Sequence, residues 1–337
     1  MFGFLKRKIG LSKDRKYKVG NKLFTIIDDT NSKAINYLLD ITINKIIKWT
    51  KKEKIFSKFN HLKIILSSKD YQKGRTRYVK GKVIFPDIIM IYVDPIINID
   101  IKDINDYKEK FNTKEYTAEL KKVLIHETYH LIHYKKNKAF EKRYKIDESN
   151  LDLLSKREFE TKSEEINLIL IRLKDILKFF ITRTWAEGIS EFYEELYNGK
   201  LYFNAEEFNK LYKRSRNSIN FFQDEFFKIR KVFKQSKDDD LKRQLIKLRN
   251  LISELTGLSS YTIGKHIFYS IKYLAPQMND EEILKQDIKS VILLYEELME
   301  SNNYKPIISL YSNKGLFDYK ESLMVIIIEF RKRFNLI

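Results

Sequence analysis

The stretch VLIHETYHLIHY, residues 123–134, constrains the fold more than any other part of this chain. It holds three of the five histidines. On an α-helix, residues four apart lie on one face about a turn from each other, so His126 and His130 can aim one imidazole nitrogen each at a single ion. Glu127 then stands about 100° round the helix, beside such an ion and not on it. A carboxylate there can take a proton from a metal-activated water. Val123, Leu124 and Ile125 before the motif, with Leu131 and Ile132 after it, are apolar over several turns. Such a helix belongs in a core. His133 shares the face but sits about 10 Å along the axis from His126, too far for one ion bound at about 2.0–2.1 Å. It is expected to be a satisfied histidine, or one that supports a ligand from behind.

The chain has no cysteine, so thiolate ligands and disulfides are excluded and a third ligand must be a carboxylate. Glu158, Glu160, Glu164, Glu165, Glu187, Glu191 and Glu194 are the candidates. The first four fall on an acidic, lysine-punctuated helix that looks solvated. Glu187 sits in TWAEGISEF, with Trp185 and Gly188 close by and apolar Ile189 and Phe192 following. A carboxylate in an apolar helical stretch is costly unless it is paired or metal-bound. The competing explanation is a charge near a helix N-terminus, stabilised by the helix dipole. Glu191, four residues on, shares its face and can accept from the free ring nitrogen of a ligand histidine, orienting the ring.

Only ten glycines and four prolines occur, which argues for a helix-rich protein. Residues 32–50 have helical spacing, with Ser32 as candidate cap. Residues 61–94 change texture: LKIILS, RTRYV, KVIF and IIMIYV are short runs rich in β-branched and aromatic residues, predicting a small sheet with a hairpin around Lys80-Gly81. A helix is expected from a cap near Thr113 to about Lys136, and another over 151–181. A further helix is expected to be capped near Thr184 and closed at Asn198-Gly199. Beyond it the chain looks helical, with starts near Asn279 and at DYKE, 318–321.

HETYH followed downstream by WAEGIS resembles the gluzincin branch of zinc metallopeptidases, which includes thermolysin-like enzymes and large zinc aminopeptidases. The resemblance implies zinc held by His126, His130 and Glu187, with Glu127 as general base. Glu191 stands where the thermolysin branch has Asp, behind a ligand. Aminopeptidase-type members carry Y-x-x-G on a later helix, whose Tyr hydroxyl steadies the oxyanion. Tyr261 with Gly264 fits that pattern, and Tyr269 and His266 are weaker candidates for the role. The chain departs from the family in its longer gap between His130 and Glu187 and in lacking G-x-M-E-N. An endopeptidase or specialised peptidase is therefore implied before a conventional aminopeptidase. The metzincin pattern fails, since His133 stands where that family has Gly.

The expected fold is α+β and mostly helical, with a small mixed sheet packed on a zincin active-site helix and a helical C-terminal region. Residues 1–60 form an N-terminal segment with a helix, 61–275 the gluzincin-like catalytic domain, and 276–337 a C-terminal helical subdomain. An edge strand, KVIF or IIMIYV, could receive a peptide or protein substrate by strand addition. Net charge is +19, which admits nucleic acid as a partner, though AT-rich coding would scatter lysines in the same way. A protease acting on DNA-bound proteins, and a pseudo-peptidase or interaction protein with a structural metal, are the rival functions. No apolar run approaches the roughly 18 residues of a membrane span. No membrane partner and a cytoplasmic location are expected.

Overall fold

The computed structural model describes residues 15–19, 22–29, 36–67, 81–93, 112–137, 162–235, 254–311 and 315–318, with scattered positions over 243–251 and 321–332. The chain divides into two units, Met1–Lys135 and Lys136–Ile337. Its described elements are mostly helical and include a small mixed sheet of five strands, consistent with an α+β chain.

The first unit is built on that sheet. Its elements in chain order are β1 (Arg15–Val19), β2 (Lys22–Asp29), α1 (Asn36–Lys52), a 3-10 turn (Lys54–Lys58), β3 (His61–Ser67), β4 (Gly81–Ile84), β5 (Ile88–Tyr92) and α2 (Thr113–Lys136). The five strands lie in the order β1-β2-β3-β5-β4. β2, β3 and β5 run parallel, and β1 and β4 are antiparallel to their neighbours. Strand side chains alternate between faces, and the most deeply buried apolar ones, Phe24, Ile26, Leu62, Ile64, Ile89 and Ile91, fall on one. Ile26 pairs with Ile64, and Ile64 with Ile89, so a buried row crosses three strands. Each such side chain contributes about 1.5–3 kcal/mol of hydrophobic burial.

α1 buries Leu38, Leu39, Ile43 and Ile46 at helical spacing. The Thr42 hydroxyl donates to Leu38 O at 2.6 Å and meets the Tyr116 hydroxyl of α2. Tyr17 of β1 bonds Thr50 at 2.7 Å, and burial pushes its phenol up to about 12. α1 is thereby tied to both a strand and the motif helix.

Several expectations need adjusting. β1 and β2 were not foreseen in residues 1–60. Basic Lys16 and Lys18 masked the alternation, although Gly20-Asn21 between two β-rich runs is a hairpin signal. RTRYV, Lys80 of the proposed hairpin at Lys80-Gly81, and Ser32 lie outside the described residues, while Gly81 is the first residue of β4. A hairpin joins β4 to β5 through residues 85–87. IIMIYV is not an edge strand, because β3 pairs with one side of β5 and β4 with the other. KVIF, as β4, lies at the edge among the described strands. α2 starts where expected, but its cap is Asn112, whose Oδ1 accepts from the Lys114 and Glu115 amides at 3.1 and 3.2 Å.

The second unit is helical. It holds α3 (Lys162–Tyr197), α4 (Ala205–Gln235), a π turn (Leu255–Ser259), α5 (Ser260–Leu274), α6 (Asp280–Lys285) and α7 (Ile288–Ser301). A parallel pair follows, β6 (Ile308–Ser309) and β7 (Phe317–Asp318), which was not anticipated. α3 is one helix where two were expected. No Gly or Pro interrupts it before Thr184, which is buried in its interior. It closes at Gly199, φ +66°, with Lys200 N–H on Glu195 O and Gly199 N–H on Leu196 O. Asn279 caps α6 as predicted, and Asp287 caps α7. No helix among the described residues is long and apolar enough to cross a membrane.

α5 is the hub, touching α3, α4 and α7. Ile263, Ile267, Phe268 and Ile271 fill its core face. His266 lies among them, fully buried. Ser270 donates to His266 O at 2.7 Å and stands 3.3 Å from His266 Nδ1. Tyr295 Oη accepts from the Ile307 amide at 2.9 Å and stands 3.2 Å from His266 Nε2. These partners suit a neutral ring protonated at Nδ1. Desolvation lowers the His266 pKa from 6.5 to about 3. The unfolded chain therefore binds a proton that the folded chain refuses. His266 stabilises the fold fully above about pH 6.5, and that contribution is lost as pH falls toward 3. Between pH 7 and 4.5 the loss should be about 2–3 kcal/mol. Urea unfolding across that range should show a shallower pH dependence for His266→Gln than for the parent. Identical slopes would remove His266 from the acid response.

Candidate metal centre

The HExxH residues lie on α2 of the first unit. One helical turn brings the His126 and His130 rings to 4.9 Å between centroids, nearly perpendicular. His130 and Glu127 are buried, and His126 is half-buried. Thr128 between them donates to Leu124 O at 2.6 Å, so its hydroxyl is spent within the helix. His133 is fully buried and lies beyond the two ligand candidates. Desolvation and then the His130 charge lower its pKa to about 3, so it is neutral at physiological pH.

Edge strand β4 runs beside this helix. A Cβ on Gly81 would stand 2.8 Å from Glu127 Oε1 and 2.9 Å from Val123 Cγ1. At the strand's far end the Phe85 ring packs on Tyr134, with 4.3 Å between centroids. Glycine at 81 is what allows the strand backbone to approach the carboxylate.

The acidic residues and Tyr261 lie on α3 and α5 of the second unit. Glu187 lies in the apolar interior of α3, between buried Ala186 and Ile189. Its Oε1 is 3.5 Å from Nη2 of Arg183, one turn earlier. The helix-terminus explanation for Glu187 fails, because α3 begins at Lys162. Arg183 Nη2 also donates to Tyr261 Oη on α5 at 3.2 Å. Glu191 is half-buried, and Glu194 is fully buried, accepting from Asn198 Nδ2 at 3.2 Å. Glu158 and Glu160 lie outside the described residues, as do the side chains of Glu164 and Glu165.

Two glycines explain why Glu187 and Tyr261 fall close together. A Cβ on Gly264 would lie 2.0 Å from Thr184 O, and one on Gly188 would lie 2.3 Å from Gly264 Cα. α3 and α5 therefore cross backbone to backbone at these two positions. Glu187 immediately precedes one glycine, and Tyr261 stands a helical turn before the other.

Among the described residues, ligand-type atoms lie within 4.8 Å of one another in two triads: His126, His130 and Glu187, and His126, Glu191 and Glu194. Each could hold a metal ion. Tyr269 and His266, the weaker oxyanion candidates, are committed elsewhere. Tyr269 donates to Tyr202 O at 2.5 Å and accepts from the Asn204 amide at 3.1 Å, while His266 serves the core. Sequence reasoning missed the roles of Arg183 and Gly81. The sequence marks Glu194 only as one of seven ligand candidates. An Arg four residues before an apolar-flanked Glu was the available signal for the first. Nothing local in the sequence marked the second.

No protein-family model, curated protein or solved structure matches this chain.

Gly264→Ala should cost about 1–3 kcal/mol or more, since backbone cannot yield as a side-chain tip does. Thermal unfolding measures it. A loss below about 0.5 kcal/mol, the level of an ordinary surface change, would contradict the close crossing.

Proposed function

We propose that this chain is a zinc-dependent peptidase of the gluzincin kind, with the metal held by His126, His130 and Glu187. The observation that carries this reading is the spacing of those three donors, within 4.8 Å of one another. Ligands each about 2.1 Å from one ion stand at most about 4.2 Å apart, so little closure is needed. The donor chemistry also fits. Two imidazoles and one carboxylate, with no thiolate in the chain, form a set that zinc accepts in catalytic sites and that leaves a coordination position open.

Bound there, zinc supplies Lewis acidity toward a carbonyl and lowers the pKa of a water. The remaining work belongs to side chains. Glu127 accepts a proton from the attacking water and returns it to the leaving amine. Its burial beside Gly81 limits competing solvent around the carboxylate. Tyr261 donates a hydrogen bond to the oxygen on which negative charge develops. Glu191 supports His126, consistent with its membership of the second triad. β4, the edge strand among the described residues and beside Glu127, could take an extended peptide by strand addition.

Glu127→Gln should keep the metal while cleavage of a quenched fluorescent peptide mixture falls to background. Glu187→Ala should lower zinc content measured by elemental analysis. Full cleavage by the Gln variant would remove Glu127 as base. Unchanged zinc stoichiometry in the Ala variant would move the third ligand elsewhere, with Glu191 and Glu194 first in line.

A further inference from the structure

We propose that Arg183 is a positioning residue for this chemistry, holding the Glu187 carboxylate and the Tyr261 hydroxyl in register with each other. The inference rests on the peptidase reading and extends it to a residue outside every motif that suggested it.

One nitrogen of the guanidinium serves both partners. Arg183 Nη2 is 3.2 Å from Tyr261 Oη and 3.5 Å from Glu187 Oε1. The guanidinium carbon also lies 5.6 Å from the centre of the Tyr261 ring, within reach of a cation–π attraction. An exposed i,i+4 ion pair on a helix would be unremarkable and worth little. This pair differs in two respects. The Glu187 side chain is only 4% exposed, and the shared nitrogen reaches a residue 78 positions away on another helix.

Each contact has a chemical consequence. A carboxylate has two oxygens, and a donor fixed near Oε1 limits its rotation, as outer partners do for ligating carboxylates. A tyrosine hydroxyl that accepts a bond from a cation directs its own proton elsewhere, where it can be donated. Arginine suits both tasks because its planar fork carries five donors and stays charged. Lysine at 183 would keep the charge and lose the fork.

The test compares Arg183→Met, Arg183→Lys, Tyr261→Phe and the Arg183→Met/Tyr261→Phe double variant in the full chain. Zinc affinity is read by chelator competition. kcat and KM are read on the peptide mixture at saturating zinc. Arg183→Met should weaken zinc about tenfold, the usual scale for losing an outer partner. It should also lower kcat about tenfold or more, with KM changed much less. The double variant should lose no more kcat than the worse single variant, because Arg183 acts through Tyr261. Arg183→Lys should recover part of kcat, and it carries the test if the Met variant fails to fold. Unchanged zinc affinity with losses that multiply in the double variant would overturn the proposal. So would parent-level zinc affinity and kcat in both Arg183 variants, while leaving the peptidase reading intact. A parent protein that binds no zinc and cleaves no peptide would overturn both.

Discussion

Burying ionisable groups in apolar helices is the constraint around which this molecule is arranged. Glu127 and His130 lie in a helix whose neighbouring positions are Val, Leu and Ile, and Glu187 lies in another flanked by Ala and Ile. An isolated charge in such surroundings costs several kcal/mol. The chain meets that cost in different ways. His266 and His133 are held neutral. Glu187 has a guanidinium one turn away. Stability alone rarely justifies such groups, since well-packed apolar residues do as well or better. Their concentration on two helices is what makes the acidic and imidazole residues chemically interesting, beyond the HExxH spelling.

Glycines that leave no room for a side chain recur where those groups sit. Gly81 lets an edge strand meet the motif helix at Glu127, and Gly188 with Gly264 lets α3 and α5 touch at Glu187 and Tyr261. At Gly188 and Gly264 the glycine removes the side chain that would hold two backbones apart, and at Gly81 it leaves room for the side chains of Glu127 and Val123. A chain with only ten glycines has placed three of them beside proposed site residues. The glycine after Glu187 and the one three residues after Tyr261 are therefore intelligible as packing requirements. They would be needed whether or not the chain shares ancestry with any enzyme family.

Much of this was legible beforehand, and the failures have physical causes. The long motif helix was plain because its apolar residues recur with helical period and nothing breaks it. The strands β3, β4 and β5 were recognised from β-branched runs. β1 was missed because Lys16 and Lys18 make it look like loop, though an edge strand tolerates and even favours lysines, and with β1 unread β2 lost its hairpin partner. The break placed at Thr184 shows the opposite error. Threonine is a good cap, but capping preference decides only where a helix has a reason to end. Here the neighbouring turn is packed against Gly264, and tertiary contact carries the helix through. The spacing of the imidazoles could be read from one helix. The pairing of Arg183 with Tyr261 could not, because it depends on how α3 and α5 cross.

That crossing also separates what a local motif can specify from what it cannot. HExxH fixes two imidazoles and a carboxylate through the geometry of a single helix, so a dozen residues suffice. A carboxylate and a hydroxyl from different helices have no such guarantee. Their relative position is set by the thickness of whatever lies between the helices. At Gly188 and Gly264 that thickness is reduced to backbone alone, leaving no side chain whose rotamers could widen it. The Arg183 bond to Tyr261 then spans a gap whose width the crossing has already fixed. Rigidity at the glycines and adaptability in the guanidinium are complementary. One sets the distance between the helices, and the other fits the polar atoms within it.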